Sequence, residues 1–213
     1  MIDLQKLKKN EFKEAAASSI HVCDLDGQIL AELIPIGNWA LKNDELINSF
    51  MKWRNTFNRF FVNQSKVTVQ STTHYIKNLL IAQPNRIFFG IYLDNELIGH
   101  IGLDEINSKQ AQLDNVIRGK SGGHTDLIYF AEKSIIEWAF EVLKVDEINA
   151  QVLSHNSIAM LLHNRFGFKL KERFHLKKVN NQNSHFFETC NEADATEKFY
   201  LDIIEVKKSE FNL

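Results

Sequence analysis

The sequence predicts an α/β fold, in which a mixed, mostly antiparallel central sheet carries helices on both faces. Segments with the apolar spacing of helices alternate with short apolar runs that are typical of strands. Neither a linker-like segment nor an internal repeat interrupts this order over the 213 residues. A chain of this length suits one core better than two. We therefore expect residues 1–213 to form a single domain.

Several segments have the spacing of helices that pack one apolar face against a core. They cover 43–57, 71–82, 125–143 and 156–166. In 125–143, the residues that share the predicted apolar face are Ile128, Ala131, Ile135, Trp138 and Val142. The segment 71–82 stops before Pro84, because a proline restricts the residue before it to extended conformations.

Short apolar runs bounded by turn residues predict the strands. These runs cover 28–36, 86–93, 96–106, 111–117, 147–153, 168–171 and 199–206. Asp94 and Asn95 form a two-residue turn between the second run and the third, which predicts a β-hairpin. Residues 1–25 are expected to form an arm or a short helix. Residues 175–198 are polar and lack a clear period, so we expect an irregular excursion between the last two strands.

The composition is that of a globular protein and argues against several classes of function. Hydrophobic residues make up 44% of the chain, and a net charge of −2 offers no general attraction to nucleic acid or to an anionic membrane. Cys23 and Cys190 lie far apart, without the spacing of a zinc site or a disulfide framework. The first residues are charged, unlike a signal peptide, and no apolar run is long enough to span a membrane. We expect a soluble, cytoplasmic protein with no metal, nucleic-acid or membrane partner.

A glycine-rich loop, VIRGKSGGHTDL at 116–127, joins a predicted strand to a predicted long helix. Backbone N–H groups in such a loop converge on one point, and the start of a helix adds a partial positive charge. Arg118 and Lys120 add cationic donors at the rim. The loop is too short for a P-loop and lacks the GxGxxG spacing of dinucleotide sites. It predicts an anion cradle, although an ordinary glycine-rich turn explains the loop equally well on its own.

A second segment, NSIAMLLHNRFGF at 156–168, has a helical pattern. Asn156, Ala159 and His163 recur on one face of this helix. The residues expected on its buried face are Ile158, Leu161, Leu162 and Phe166. Gly167 suits the left-handed backbone position that ends a helix.

Together, the two segments resemble the coenzyme A site of the GCN5-related N-acetyltransferase (GNAT) superfamily. The loop of that family has the form Q/R-x-x-G-x-G/A, and Arg118, Ser121 and Gly123 occupy its positions here. The later helix of the family has the form N-x-x-A-x-x-L-Y-x-x-x-G-F, and the matching residues are Asn156, Ala159, Leu162, Gly167 and Phe168. The resemblance extends over about 28–206. It departs at Ser121, where the inner glycine is usual, and at His163, where many relatives have a tyrosine.

The resemblance implies an N-acetyltransferase that uses acetyl-CoA as co-substrate and transfers the acetyl group directly to an amine. It places the pantetheine arm along the strand that ends at Val116 and Ile117, and the diphosphate in the loop. The residues that it implies for cofactor binding are Val116, Ile117, Arg118, Gly119, Lys120, Ser121, Gly122, Gly123, His124, Asn156 and His163. A homodimer, common among such enzymes, is left open.

For catalysis, the resemblance implies a base near the end of the same strand. Asp114 is the first candidate, provided that a β-bulge re-aims its side chain. His100, Asp104 and Glu105 on the preceding strand are alternatives, and each of these residues could instead have a structural role. The tyrosine that His163 replaces protonates the departing thiolate in many relatives. His163 could act as that acid or could only contact the cofactor.

The amine substrate is less constrained. Trp53, Arg54 and Asn55 resemble the GNAT branch that acts on amino sugars attached to nucleotides and, more loosely, the branch that acetylates protein N-termini. Arg54, together with His100 and Asp104, is a candidate for substrate binding. The basic residues of the segment 165–178 could hold a phosphate of either substrate, although a solvated strand face explains them almost as well; they are Arg165, Lys169, Lys171, Arg173, Lys177 and Lys178.

Three hypotheses follow from these patterns. The first is acetylation of a small-molecule amine, with a nucleotide-linked amino sugar as the first candidate. The second is acetylation of a protein N-terminus or a lysine side chain. The third is a non-catalytic acyl-CoA-binding domain, which the departures at Ser121 and His163 keep open.

Overall fold

The computed structural model describes residues 2–181 and 184–211, and these residues form one sheet of nine strands. The strands are β1 (Ile20–Cys23), β2 (Ile29–Pro35), β3 (Ile87–Leu93), β4 (Glu96–Asp104), β5 (Gln110–Arg118), β6 (Glu147–Leu153), β7 (Lys169–Asn181), β8 (Ser184–Cys190) and β9 (Tyr200–Lys207). Their order in the sheet is β1-β2-β3-β4-β5-β6-β9-β7-β8. Neighbours pair antiparallel except β5 and β6, which are parallel. The predicted mixed, mostly antiparallel sheet is confirmed.

Five α-helices are described: α1 (Phe12–Ala16), α2 (Asp44–Thr56), α3 (Val69–Tyr75), α4 (Leu127–Trp138) and α5 (Ser157–Asn164). α3 and α4 continue as π-helical turns over Ile76–Ile81 and Ala139–Leu143. Short 3₁₀ turns cover Leu4–Leu7, Asn38–Lys42, Asn58–Phe60 and Glu192–Asp194. The Asn43 side chain caps α2 by accepting a hydrogen bond of 3.0 Å from the backbone of Leu46.

The core has two parts, one on each face of the sheet. The adjacent residues Phe88 and Phe89 of β3 point to opposite faces, as the two-residue period of a strand requires. Phe89 packs with α4, whereas Phe88 packs with α2 and the π-helical turn after α3. Helices therefore cover both faces, as the sequence predicts, and each face can contribute separately to a site in the sheet.

The predicted apolar face of the helix 125–143 is wrong at its end. Val142 is 39% exposed, while Ala139, Phe140 and Leu143 are buried. A π-helical turn contains an extra residue and rotates the side chains that follow, so a pattern extended at 3.6 residues per turn points Val142 away from the core.

The expected irregular excursion at 175–198 is also wrong over most of its length. β7 and β8 form an antiparallel hairpin whose pairs run from His175–Cys190 to Asn181–Ser184. Both faces of β7 are largely exposed, so the strand lacks the alternation of apolar and polar residues that marks a half-buried strand. Residues 1–25 contain the expected helical turns and also β1, which is too short to be recognised by its pattern.

Candidate active site

The parallel strands β5 and β6 separate in the middle of the sheet. They pair from Gln110–Glu147 to Leu113–Ala150, and both continue beyond that point. A β-bulge in β5 causes the change in direction, because the three steps from Asp114 to Ile117 face only the two steps from Gly102 to His100 on β4. Asn115 takes the extra place with a positive φ of 50°. The bulge on which the interpretation of Asp114 depends is therefore present.

A cavity of about 680 Å³ lies where the strands separate. Residues of α4 and α5, such as Ile128 and His163, line it on one face of the sheet, and residues of α2 and α3, such as Arg54 and Tyr75, line it on the other. Of the site residues predicted from the sequence, it brings together Arg54, His100, Asp114, Val116, Ile117, Arg118, Asn156 and His163. The predicted residues outside its lining are Asp104, Gly119, Lys120, Ser121, Gly122, Gly123 and His124.

Asp114 places a carboxyl group in the cavity wall at the bulge. Its Oδ1 accepts a hydrogen bond of 2.7 Å from the Asn115 side chain. Burial raises the pKa of Asp114 above its ordinary value, while the positive charge of Arg86 opposes that rise. A carboxylate with a raised pKa accepts protons more readily, which suits a general base.

Tyr75 and Asn115 are neighbours of this carboxyl group that the sequence did not single out. The Asn115 side chain lies 3.4 Å from the Tyr75 hydroxyl group, and both residues line the cavity. Burial, followed by the charge of Asp114, raises the pKa of Tyr75 well above its ordinary range, so the hydroxyl group stays protonated. Nothing in the local pattern of either residue indicates this role, because the bulge and α3 come together only in the folded chain.

The alternative bases on β4 are less suited to proton transfer. The His100 ring stacks on Phe50 with centroids 4.2 Å apart, and burial lowers the pKa of His100 to about 3. Asp104 forms an ion pair with Arg86 outside the cavity lining, and Glu105 is exposed beside it. The prediction that Asp104 contacts the substrate therefore has no support from its position.

Arg54 lines the cavity but also organises the chain around it. Its guanidinium donates to the Asn58 side chain at 2.6 Å and to the Asn63 carbonyl group, and it lies 3.8 Å from the centre of the Phe61 ring. Burial lowers the pKa of Arg54. Since an arginine has five N–H donors, others remain for a ligand.

We call residues 57–67 the strap, because they cross from α2 to the edge of β8. The backbone N–H of Gln64 donates to the His185 carbonyl at 2.9 Å, and that of Phe187 donates to the Val62 carbonyl at 3.0 Å. The Gln64 Oε1 and His185 Nε2 atoms lie 2.9 Å apart. The hairpin that the sequence analysis missed therefore anchors one wall of the cavity.

The glycine-rich loop after β5 offers free backbone donors. The N–H groups of Gly119 and Lys120 both donate to the Ile98 carbonyl, at 2.8 and 2.9 Å. Within the described parts of the chain, the N–H groups of residues 121–125 have no acceptor, and they precede the start of α4. Arg118 closes the loop through hydrogen bonds to the carbonyl groups of Gly122 and Thr125, at 2.6 and 2.9 Å.

Side chains in this loop have mainly structural contacts. A Cβ atom on Gly119 would lie 1.8 Å from the Trp53 ring, so glycine is required for this packing. The Lys120 ammonium group lies 2.7 Å from Glu96 and 3.7 Å from Glu45, which balance its charge. His124 accepts a hydrogen bond of 3.1 Å from the Asp126 backbone through Nδ1. The loop thus presents its backbone, rather than these side chains, to an anion.

Along 156–168, the predicted buried face is correct at Phe166, which is buried, and at Leu162, which packs against the core, but it is wrong at the other two positions. Ile158 and Leu161 are 74% and 68% exposed, whereas His163 is buried. The reason is a tertiary contact: His163 Nδ1 lies 2.6 Å from the carboxylate of Glu132 on α4. The sequence reasoning did not single out Glu132. A signal for it exists, since an acidic residue three positions before Ile135 falls on the predicted apolar face of the helix. Asn156 caps α5 by accepting from the Ala159 backbone at 3.3 Å.

Acidic partners pair with most of the basic residues of 165–178. Arg173 forms two hydrogen bonds of 2.7 Å with buried Asp202, and Lys169 and Lys171 contact Glu210 and Glu205 at 2.8 and 2.6 Å. This pairing across strands favours a structural role over phosphate binding. Over residues 2–181 and 184–211, no three side chains form a metal-binding group, and no helix is both long and apolar enough to cross a bilayer.

The free loop amides, the separated strands and the cavity together fit coenzyme A. Amides at the start of a helix bind a diphosphate, and the strand edge exposed beyond Leu113 can pair with the amide groups of a pantetheine arm. Positive φ angles of 129° and 67° at Gly122 and Gly123 let the backbone of the loop turn towards such a ligand.

Comparisons with known proteins agree with this geometry. A family described as "Acetyltransferase (GNAT) domain" matches residues 41–206. "Acetyltransferase PseH" of Campylobacter jejuni is 26% identical over 139 residues, which are 65% of this chain and 86% of that protein.

Two solved structures illustrate the shared fold. The C. jejuni N-acetyltransferase PseH in complex with acetyl coenzyme A has a TM-score of 0.54 at 19% identity, covering 84% of this chain and 99% of that one. RimL, a ribosomal L7/L12 alpha-N-protein acetyltransferase in complex with coenzyme A, has a TM-score of 0.65 at 12% identity, covering 89% and 97%. The chain therefore belongs to the GNAT family of acetyl-CoA-dependent N-acetyltransferases.

Proposed function

We propose that this enzyme acetylates a primary amine of a small molecule, and that an amino sugar attached to a nucleotide is the first substrate to test. The observation that carries the proposal is the cavity at the bulge, which is lined both by Asp114 and by a strap that is hydrogen-bonded to β8. A cleft of about 680 Å³ suits a small ligand.

The residues of the cavity and of the loop that follows β5 divide the work of acetyl transfer. The amides of 121–125 hold the diphosphate, and the backbone of Val116 and Ile117 orients the thioester carbonyl. Asp114 accepts a proton from the amine, and His163 donates a proton to the departing sulfur. Acetyl-CoA supplies the activated acetyl group when bound.

The strap side of the cavity supports a nucleotide-linked substrate. Phe57, Phe60 and Phe61 line it with aromatic rings on which a base can stack, and Arg54 retains N–H donors for a phosphate. One structural relative of this fold, the microcin C7 self immunity acetyltransferase MccE, was solved with both acetyl-CoA and AMP. The PseH relative is a further reason to begin with small-molecule amines.

Acetylation of a protein N-terminus is the second candidate, favoured by the fold shared with RimL. The aromatic rings and the arginine on the strap side weigh against it, because they suit a base and a phosphate better than a peptide backbone. The carboxyl group of Asp114 in the cavity wall, with its raised pKa, weighs against the third hypothesis, a domain that binds acyl-CoA without catalysis.

The test is thiol release from acetyl-CoA with a panel of amines. We expect turnover with nucleotide-linked amino sugars and less with the free amino sugars, with lysine or with N-terminal peptides. Preferential turnover of peptides would support the second candidate instead, and no turnover with tight coenzyme A binding would support the third.

We extend the proposal to the cell and to assembly. Cys23 and Cys190 are free thiols, which supports a reducing compartment such as the cytoplasm. A homodimer stays part of the proposal, and light scattering of the purified enzyme would decide between it and a monomer.

A further inference from the structure

Glu132 is a buried acid on the apolar side of α4, where the neighbouring side chains are mostly hydrophobic. Its side chain is 0% exposed, and the His163 side chain that it contacts is 5% exposed. One carboxylate oxygen lies 2.6 Å from His163 Nδ1, and the other has no hydrogen-bond partner among the described residues. A buried carboxylate that is only half satisfied lowers stability. A role in stabilising the fold therefore does not explain this glutamate.

The contact orients the His163 ring and constrains its tautomer. An ionised carboxylate only accepts hydrogen bonds, so an ionised Glu132 requires the proton on Nδ1. The other ring nitrogen, Nε2, makes no hydrogen bond to any described residue, and His163 lines the cavity together with Asn156 and Ile128. Partners of this kind set which nitrogen of a histidine is available for chemistry.

We propose that Glu132 is a positioning residue, whose buried carboxylate accepts the Nδ1 proton of His163 and so makes Nε2 the nitrogen that donates a proton in the cavity. The inference rests on the proposed function, in which His163 protonates the departing sulfur. Before that step His163 carries a proton on each ring nitrogen. A C–N bond forms while a C–S bond breaks, Asp114 takes the proton released by nitrogen, and His163 gives its Nε2 proton to sulfur and becomes neutral. The proton at Nδ1 stays between His163 and Glu132.

The first test is spectroscopic and needs no substrate. In the resting protein labelled with ¹⁵N-histidine, and with the signal assigned by comparison with His163→Gln, we expect Nδ1 of His163 to be protonated. In Glu132→Leu we expect the signal to change to the tautomer with the proton on Nε2, or to a mixture. A wild-type ring protonated only on Nε2 would overturn the proposal, because Glu132 would then be a donor.

The second test is kinetic and separates positioning from packing. We expect Glu132→Leu to lower kcat at least about 10-fold and to leave the KM for acetyl-CoA within about threefold of wild type. Glu132→Gln, whose side-chain oxygen can still accept from Nδ1, should recover part of the loss. Glu137→Leu is the matched control, because Glu137 lies on the same helix and pairs with Lys133 at the surface.

The outcomes separate this inference from the proposed function. Wild-type kcat in folded Glu132→Leu would overturn the inference while leaving acetyl transfer intact. If the wild-type enzyme released no thiol with any amine, the proposed function would fail, and the tautomer of His163 would still decide whether Glu132 positions the ring. If Glu132→Leu did not fold, the wild-type spectrum and the kcat of Glu132→Gln would decide.

Discussion

The loop after β5 and the strap side of the cavity present different parts of the chain to a ligand. On the side of α4, the loop offers exposed backbone amides at 121–125, while its side chains are engaged elsewhere. On the side of α2, partly buried side chains line the cavity: Asp114 at the bulge, Arg54 on α2 and the aromatic rings of the strap. A backbone cradle tolerates changes of side chain, such as Ser121. The strap side, by contrast, depends on the identity of each residue, and we infer that it determines the amine.

The largest expected effect comes from the base. We expect Asp114→Asn to lower kcat by about 10²- to 10⁴-fold and to leave the KM for acetyl-CoA unchanged. In the wild type, activity should rise with pH as Asp114 loses its proton, and burial places that rise above the ordinary carboxyl range. Steady-state kinetics across pH would check both points.

Asp104→Asn is the matched control for this prediction, because Asp104 pairs with Arg86 outside the cavity lining. It should keep a kcat far above that of Asp114→Asn. Similar losses of kcat in the two variants would contradict the assignment of Asp114, rather than a carboxylate on β4, as the base.

Changes in the glycine-rich loop should alter the KM for acetyl-CoA rather than kcat. We expect Gly123→Asp to raise the KM for acetyl-CoA about 10-fold or more, because a carboxylate would repel the diphosphate and L side chains disfavour a φ of 67°. Gly27→Asp is the control, since Gly27 also has a positive φ, of 81°, in a turn with open space around it. A KM that stays at the wild-type value in folded Gly123→Asp would contradict the placement of the diphosphate.

A smaller effect should follow from loosening the strap. Gln64→Ala removes the side-chain contact with His185, and we expect the KM for the amine to rise by about 2- to 10-fold with the KM for acetyl-CoA unchanged. Gln70→Ala is the matched control, because it makes the same substitution at an exposed position on α3. It should leave both KM values unchanged. An equal rise in both KM values would mean that the two sides are not independent.

The last expected effect is on stability rather than on kinetics. The pKa of His100 is lowered to about 3 by burial, whereas an unfolded histidine has a pKa of about 6.5. Since the fold holds the neutral ring, this contribution is complete above about pH 6.5 and decreases below it, by up to about 1.4 kcal/mol per pH unit. Urea unfolding of the wild type and of His100→Phe at pH 7 and pH 5 would reveal a smaller loss in the variant. Equal losses of unfolding free energy in the two proteins would show that the pKa of His100 is not lowered in the fold.

Local signals explain what the sequence could predict. The turn at Asp94 and Asn95 has positive φ angles of 49° and 67°, as those residue types indicated, and α2 buries the apolar stripe read from its spacing. The glycine-rich loop pointed to the family only together with the helix at 156–168, because a glycine-rich turn alone is equally common as a plain connection.

Long-range contacts explain what the sequence could not predict. β7 is a strand because β9 and β8 pair with it, and its own pattern carries little information. The contact between His163 and Glu132 sets the buried side of α5. Ile158 and Leu161 are exposed as a result, although their apolar character predicted burial. The strap closes the cavity only once the hairpin of β7 and β8 exists.

The central claim is that free backbone amides after β5 hold the diphosphate of acetyl-CoA. Amide ¹H–¹⁵N spectra recorded during titration with coenzyme A would test it directly. We expect the amides of 121–125 to show the largest downfield proton shifts, while those of Gly119 and Lys120, which already donate to Ile98, shift less. Saturable binding that leaves the amides of 121–125 unshifted would contradict the claim.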